Sequence, residues 1–291
     1  MKRLDAHESP TRPALRYHGG KWRLAPWIIA HMPPHRVYVE PFGGGASVLL
    51  RKPRSYAEVY NDLDGEVVNF FRVLRNPEDA AALIESVRLT PFAREEFDAS
   101  YATTCDPIER ARRLCFRSHA GFGTAAMRST VGGAAQRTGF RANTTRSGTT
   151  PAGDWSRIPG ALSVIVERMR GVVIESRPAL DVIRSHDAPN TLFYVDPPYP
   201  HGTRTKASRN NYRHEMTNED HCNLAGVLRG VAGAVILSGY HCDLYDVQLY
   251  ADWHRVERAA RADGAGPRCE VLWLNGKALA ARDEGLFNET P

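Results

Sequence analysis

The chain is poor in cysteine, and its cysteines form no pattern. Cys105, Cys115, Cys222, Cys242 and Cys269 are odd in number and scattered, with no Cys-x-x-Cys. Reduced, mostly buried thiols are expected rather than a disulfide framework. No apolar run approaches the roughly 18 residues that a membrane span requires. The opening Met1–Pro10 stretch has charges but no apolar core behind them, unlike a secretory signal, so a cytoplasmic location is expected. His214, His221 and His241 lie near one another without metal-ligand spacing, and no metal is expected. Neither a Gly-Lys-Ser/Thr ending nor Gly-x-Gly-x-x-Gly is present, which argues against an NTPase loop and a dinucleotide site. There is no internal repeat.

Acids are nearly missing from one long window. Between Pro107 and Thr150 stand Arg110, Arg112, Arg113, Arg117, Arg128, Arg137, Arg141 and Arg146, with Glu109 as the only acid. A stripe of one sign suits phosphate contacts, although most charge runs are solvated surface. The net charge of +5 is modest for 291 residues, and contents of 42% hydrophobic and 24% charged are ordinary for a globular chain. The length allows one large domain, or a domain with a sizeable insertion.

What is there reads as alternating strand and helix. Val37–Pro41 forms a short buried strand, Gly43-Gly44-Gly45 a turn, and Ala46–Arg51 a helix. Tyr56–Tyr60 is a second strand, followed by an amphipathic helix over residues 63–74. This is the opening of a doubly wound, mostly parallel α/β sheet. Residues 77–118 carry helical signals punctuated by Pro77, Pro91 and Pro107, whereas residues 119–153 are rich in Gly, Ala, Thr, Ser and Arg. Strands then recur at Val172–Glu175, Thr191–Val195 and Ala234–Ser238, and Trp253–Arg258 with Glu270–Leu274 form a closing antiparallel pair. Alternation resumes on both sides of residues 88–155, so that block is read as a helical and loop insertion into a domain made of 1–87 and 156–291.

Asp196-Pro197-Pro198-Tyr199 ends the second of these later apolar runs, Thr191–Val195. Proline cannot donate to a sheet ladder, so the strand stops there. A carboxylate, the carbonyls around the proline pair and an aromatic face are the partners that suit an exocyclic amino group on a planar ring. The same tetrapeptide also describes a plain strand followed by a proline turn. Asp62 closes the second strand 19 residues after Gly43, a spacing that suits a ribose-binding carboxylate; a helix N-cap is the plainer role, but Asp64 could share it, so the ribose role ranks first.

Four segments occur in order: Arg-Tyr-His-Gly-Gly-Lys at 16–21, Val-Tyr-Val-Glu-Pro-Phe-Gly-Gly-Gly-Ala-Ser at 37–47, Val-Tyr-Asn-Asp-Leu-Asp at 59–64, and Asp196–Tyr199. Together they resemble the Dam-type (D12 class) DNA adenine-N6 methyltransferases, of the phage- or prophage-like kind, over most of residues 15–275. The resemblance implies a Rossmann-like fold, S-adenosylmethionine as cofactor, and methyl transfer to adenine N6 of a base flipped out of double-stranded DNA. It implies cofactor contacts from Tyr17, Lys21, Glu40, Pro41, Phe42, Gly43, Gly44, Gly45, Asp62 and Asp196. The catalytic set would be Asp196, Pro197, Pro198 and Tyr199. Tyr17 stands where tryptophan is more usual, and Ala46 where the family's last loop glycine is usual, so a slight difference in geometry is expected at the glycine loop.

DNA contacts are expected from Arg117, Arg128, Arg137 and Arg141 in the insertion, and from Arg204, Lys206 and Arg209 downstream of Tyr199. The expected partner is double-stranded DNA, with a cognate restriction endonuclease admitted and a monomer as the expected state. The runner-up reading is a methyltransferase for another amino group, whether cytosine N4, RNA adenine or a protein glutamine. A DNA-binding protein without turnover is the alternative from a different class.

Overall fold

The computed structural model describes residues 9–122, 138–143, 148–203, 213–261 and 267–287. Its seven strands are β1 (Val37–Glu40), β2 (Ala57–Asn61), β3 (Val172–Glu175), β4 (Thr191–Val195), β5 (Ala234–Tyr240), β6 (His254–Arg261) and β7 (Pro267–Leu274). They lie in the order β3-β2-β1-β4-β5-β7-β6. Strands β1, β2, β4 and β5 pair in parallel, and β7 runs antiparallel to both β5 and β6. The fold is therefore the doubly wound α/β class expected from the sequence. Strand β4 is buried at all five positions, as a central parallel strand covered on both faces must be.

The chain divides into two compact units, each internally contiguous in space. One comprises residues 24–43, 52–63 and 175–291, and holds the sheet core with helices α1 (Ala25–Ile29), α9 (Ala179–Ser185), α10 (Asn218–Gly230) and α11 (Gly276–Phe287). Val39, Val59, Phe193, Val195, Val235, Leu237, Val271 and Trp273 pack there with Leu224 and Leu228 of α10. Thr217 and Asp220 form the reciprocal capping box that opens α10.

The other unit, residues 1–23, 44–51 and 64–174, is mainly helical. It holds α2 (Ser47–Arg51), α3 (Gly65–Arg75), α4 (Pro77–Leu89), α5 (Arg94–Ala99), α6 (Pro107–Ala120), α7 (Pro151–Trp155) and α8 (Ile158–Met169). Pro77 and Pro107 occupy first-turn positions, with Asn76 and Asp106 as side-chain caps, because proline there removes an amide that has no intrahelical partner anyway. Helix α3 begins at Gly65 rather than at 63 because the Asp64 carboxylate accepts the Glu66 amide and fixes the start. Among the described residues, no helix is long and apolar enough to cross a membrane, and no three His, Cys, Asp or Glu side chains gather where a metal ion could sit.

Candidate active site

In an open parallel sheet, ligands bind beyond the carboxyl ends of the strands where the strand order reverses. Here that point lies between β1 and β4. Glu40 ends β1 and Asp196 follows β4 directly. In the sheet unit the two carboxylates meet around Tyr194: burial pushes its phenol well above the usual range, and the charges of Asp196, Glu40 and Glu270 add to the rise. Three acids therefore lie near one buried phenol at this end of the sheet.

Glu40 is held there by its neighbours. It is buried, and the Tyr38 hydroxyl donates to its Oε1 at 2.6 Å. Burial and this carboxylate keep Tyr38 protonated far above the ordinary phenol range. The ammonium of Lys52 lies 4.4 Å from the centre of the Tyr38 ring. It also donates to Glu58, Ser55 and the Pro53 carbonyl, each at 2.7 Å. A fully buried ion pair thus fixes the ring that fixes Glu40.

The loop after β1 is fastened by a residue the sequence reading passed over. Asn61, fully buried at the end of β2, donates from Nδ2 to the carbonyls of Pro41 (2.8 Å) and Arg177 (3.0 Å) and accepts the Arg177 amide at 2.9 Å. Its own carbonyl accepts the Gly43 amide at 2.8 Å. Its place inside Val-Tyr-Asn-Asp was the only available signal. A Cβ on Gly43 would stand 2.2 Å from Cε2 of the buried Tyr60 ring, so only glycine fits. Asp62, half-buried at this strand end, does not cap the next helix, because Asp64 does. The capping alternative for Asp62 falls.

Tyr199 is buried, with Pro197 and Pro198, beside a half-buried Asp196. Its hydroxyl lies 3.1 Å from Glu270 Oε2 and 3.1 Å from Ser238 Oγ. Its ring meets Tyr240 nearly perpendicularly, with centres 4.6 Å apart. Sequence reading placed Ser238 and Glu270 only as strand ends and gave neither a role in the site. The available signal was a single acid leading the apolar run Val271–Leu274.

In the helical unit, Tyr17, Lys21, Gly44 and Gly45 come together. A Cβ on Gly44 (φ +47°) would stand 2.8 Å from the Tyr17 ring, and one on Gly45 3.0 Å from Tyr17 Cβ. The chain reverses through Gly20 N–H to the Tyr17 carbonyl at 3.2 Å, and the buried Lys21 ammonium donates to Gly19 O at 2.8 Å. Ala46 takes φ 53° and is fully buried. The left-handed turn is thus kept without a glycine, at a strain of roughly 1 kcal/mol.

The basic window requires a correction. Arg117, expected at the DNA surface, is buried and donates to the Ser100 carbonyl of its own unit. Arg112 and Arg113 share Glu109, Arg112 also binds Glu96, and Arg110 binds Glu66 at 2.7 Å. The acids absent from the window arrive from α3 and α5, so the stripe is less one-sided in space than in sequence. Arg141 is half-buried and spends one N–H on the His119 carbonyl at 3.0 Å. Arg128, Arg137, Arg146, Arg204, Lys206 and Arg209 lie outside the described residues.

A family model described as D12 class N6 adenine-specific DNA methyltransferase matches residues 17–261. Comparison with curated proteins finds no match.

Proposed function

The chain belongs to the D12 class N6 adenine-specific DNA methyltransferases, and on that premise we propose how its residues divide the work of methylating adenine in DNA. The observation that carries the assignment is the convergence of Glu40 and Asp196 at the carboxyl ends of β1 and β4, on either side of the sheet's reversal point.

S-adenosylmethionine is the proposed methyl donor, and when bound it supplies an electrophilic methyl group on a sulfonium. The residues fit such a ligand. Gly43 and Gly44 keep the loop backbone bare of side chains, tight against the Tyr60 and Tyr17 rings respectively, Glu40 is a fixed buried carboxylate, and Asp62 is not engaged as a helix cap. Pro41, Phe42 and Gly45 complete the loop, Asp62 takes the ribose hydroxyls, and Lys21 and Tyr17 complement a carboxylate and a sulfonium respectively. Asp196 borders both the cofactor and the target.

The target amine is a poor nucleophile because its lone pair is delocalised into the ring. Asp196 and the Pro197 carbonyl each accept one N6–H, favouring a more tetrahedral nitrogen, and the Asp196 carboxylate offsets the positive charge that develops there. Pro198 makes the turn rigid, and Tyr199 gives a face to the base. In a duplex that base must first leave the stack. Residues 88–155 are assigned to target recognition, with Arg128, Arg137 and Arg141 as candidates for phosphate or base contacts. Arg204, Lys206 and Arg209 are assigned to the displaced strand. The same reading extends to a monomeric, cytoplasmic enzyme working alongside a cognate endonuclease.

The test is direct. The protein is incubated with S-adenosylmethionine and unmethylated genomic DNA, the DNA is digested to nucleosides, and N6-methyladenine is sought by mass. Its formation is the expected outcome. Methylcytosine or labelled protein in its place would transfer the assignment to another amino substrate.

A further inference from the structure

Glu270 is an expensive residue to bury. A carboxylate removed from water is tolerated only when hydrogen bonds replace its hydration. Here one such bond comes from the Tyr199 hydroxyl, 3.1 Å away. Burial, with Asp196 and Glu270 nearby, keeps that phenol protonated well above its ordinary range, so its single proton goes to the carboxylate. Ser238, 3.1 Å from the same oxygen, then donates its own proton to the phenol oxygen. The hydroxyl is held at two points, one on β7 and one on β5. The edge-to-face contact with Tyr240 at 4.6 Å fixes the rotation that the two hydrogen bonds leave open. Tyr240 and Glu270 are themselves direct cross-strand partners, so the three anchors belong to one rigid piece of sheet.

We propose that Glu270, assisted by Ser238, is a positioning residue for methyl transfer: it sets the plane of the Tyr199 ring beside Asp196. The proposal rests on the assignment of Asp196–Tyr199 as the target-amine site. A tyrosine needed only as a hydrophobic plug would not require a buried acid. A ring whose face must lie parallel to a planar base does require its plane to be fixed, because misplacement by about 1 Å costs on the order of 100-fold in a geometry-dependent step.

The experiment is a double-mutant cycle read by single-turnover methyl transfer to unmethylated genomic DNA, with enzyme in excess and cofactor saturating. S-adenosylmethionine affinity is measured on each protein. Glu270→Ala and Tyr199→Phe are each expected to slow transfer roughly 10- to 100-fold, with the double variant no slower than the slower single one. Glu270→Gln retains an acceptor oxygen and is expected within about threefold of wild type, and cofactor affinity is expected to hold throughout. If Glu270→Ala does not fold, Ser238→Ala takes its place at the other anchor, with the same non-additivity expected against Tyr199→Phe. Multiplicative losses in the double variant, or a wild-type rate in Glu270→Ala, would overturn the clamp. Glu270→Gln as slow as Glu270→Ala would also overturn it, by assigning the effect to charge. A wild-type protein that methylates no adenine would instead overturn the underlying reading, and the clamp with it.

Discussion

Gly43→Ala offers a quantitative test of the cofactor loop. The added Cβ would lie 2.2, 2.5 and 3.0 Å from three atoms of the Tyr60 ring, whereas carbon atoms rest at about 3.5–4.0 Å. Over an ångström must be found by moving either the ring or the loop. The ring is fully buried, and the loop is tied by the Gly43 amide to Asn61 O at 2.8 Å, so neither moves freely. Overpacking of this kind costs about 1–3 kcal/mol, or about 2–12 °C in Tm for a chain of this size. Displacing the loop by an ångström should also weaken S-adenosylmethionine binding roughly 10- to 100-fold, measured by calorimetry. Gly65→Ala is the control, because no atom lies within 4 Å of its Cβ; affinity should be unchanged. Trimming the ring in Gly43→Ala/Tyr60→Leu should recover part of the binding lost by Gly43→Ala alone. A Gly43→Ala protein with wild-type affinity and Tm would refute the steric reasoning.

Asp196→Ala should reduce single-turnover methyl transfer at least about 100-fold while S-adenosylmethionine binding is largely kept; retained turnover would remove Asp196 from the chemistry. Lys52→Met leaves Glu58 buried without its ammonium and should cost about 3–5 kcal/mol in urea unfolding, with Lys52→Met/Glu58→Leu costing less. Burial lowers the His119 pKa from 6.5 to about 4. The unfolded chain therefore binds the proton first, and stability contributed by keeping His119 neutral is lost as pH falls from about 6.5 to 4, by up to about 3 kcal/mol. Urea midpoints at pH 7 and 4.5 should show this loss shrinking in His119→Asn. Neutralising Arg137 and Arg141 together should weaken DNA binding and flatten the log–log salt slope by up to about 2; an unchanged slope would return both to plain surface.

The strands from Val172–Glu175 to Ala234 and the closing antiparallel pair were legible because a buried strand is a short apolar run between breakers, a property of adjacent residues. The proline-led helices were legible for the same reason: a proline's restriction acts over its immediate neighbours. Helix α3 was read two residues early because two carboxylates, Asp62 and Asp64, were candidates for one cap. The turn geometry around Ala46 was expected to differ for want of glycine, yet the buried alanine holds φ 53°, since tertiary packing can impose a strain of about 1 kcal/mol.

The sequence by itself determined the α/β order, the glycine turn after the first strand, the carboxylate-proline-proline-tyrosine ending of the central strand, and through these the family. All are patterns within a few residues of one another, where backbone sterics and periodicity act. Which charges remain available to a ligand was decided only by the tertiary structure. Arg117 turned inward to Ser100, Arg110 found Glu66 44 residues away, and Tyr199 found Glu270 across 71 residues. A side chain's partner at such separations is set by sheet register and helix packing, and a linear reading contains neither.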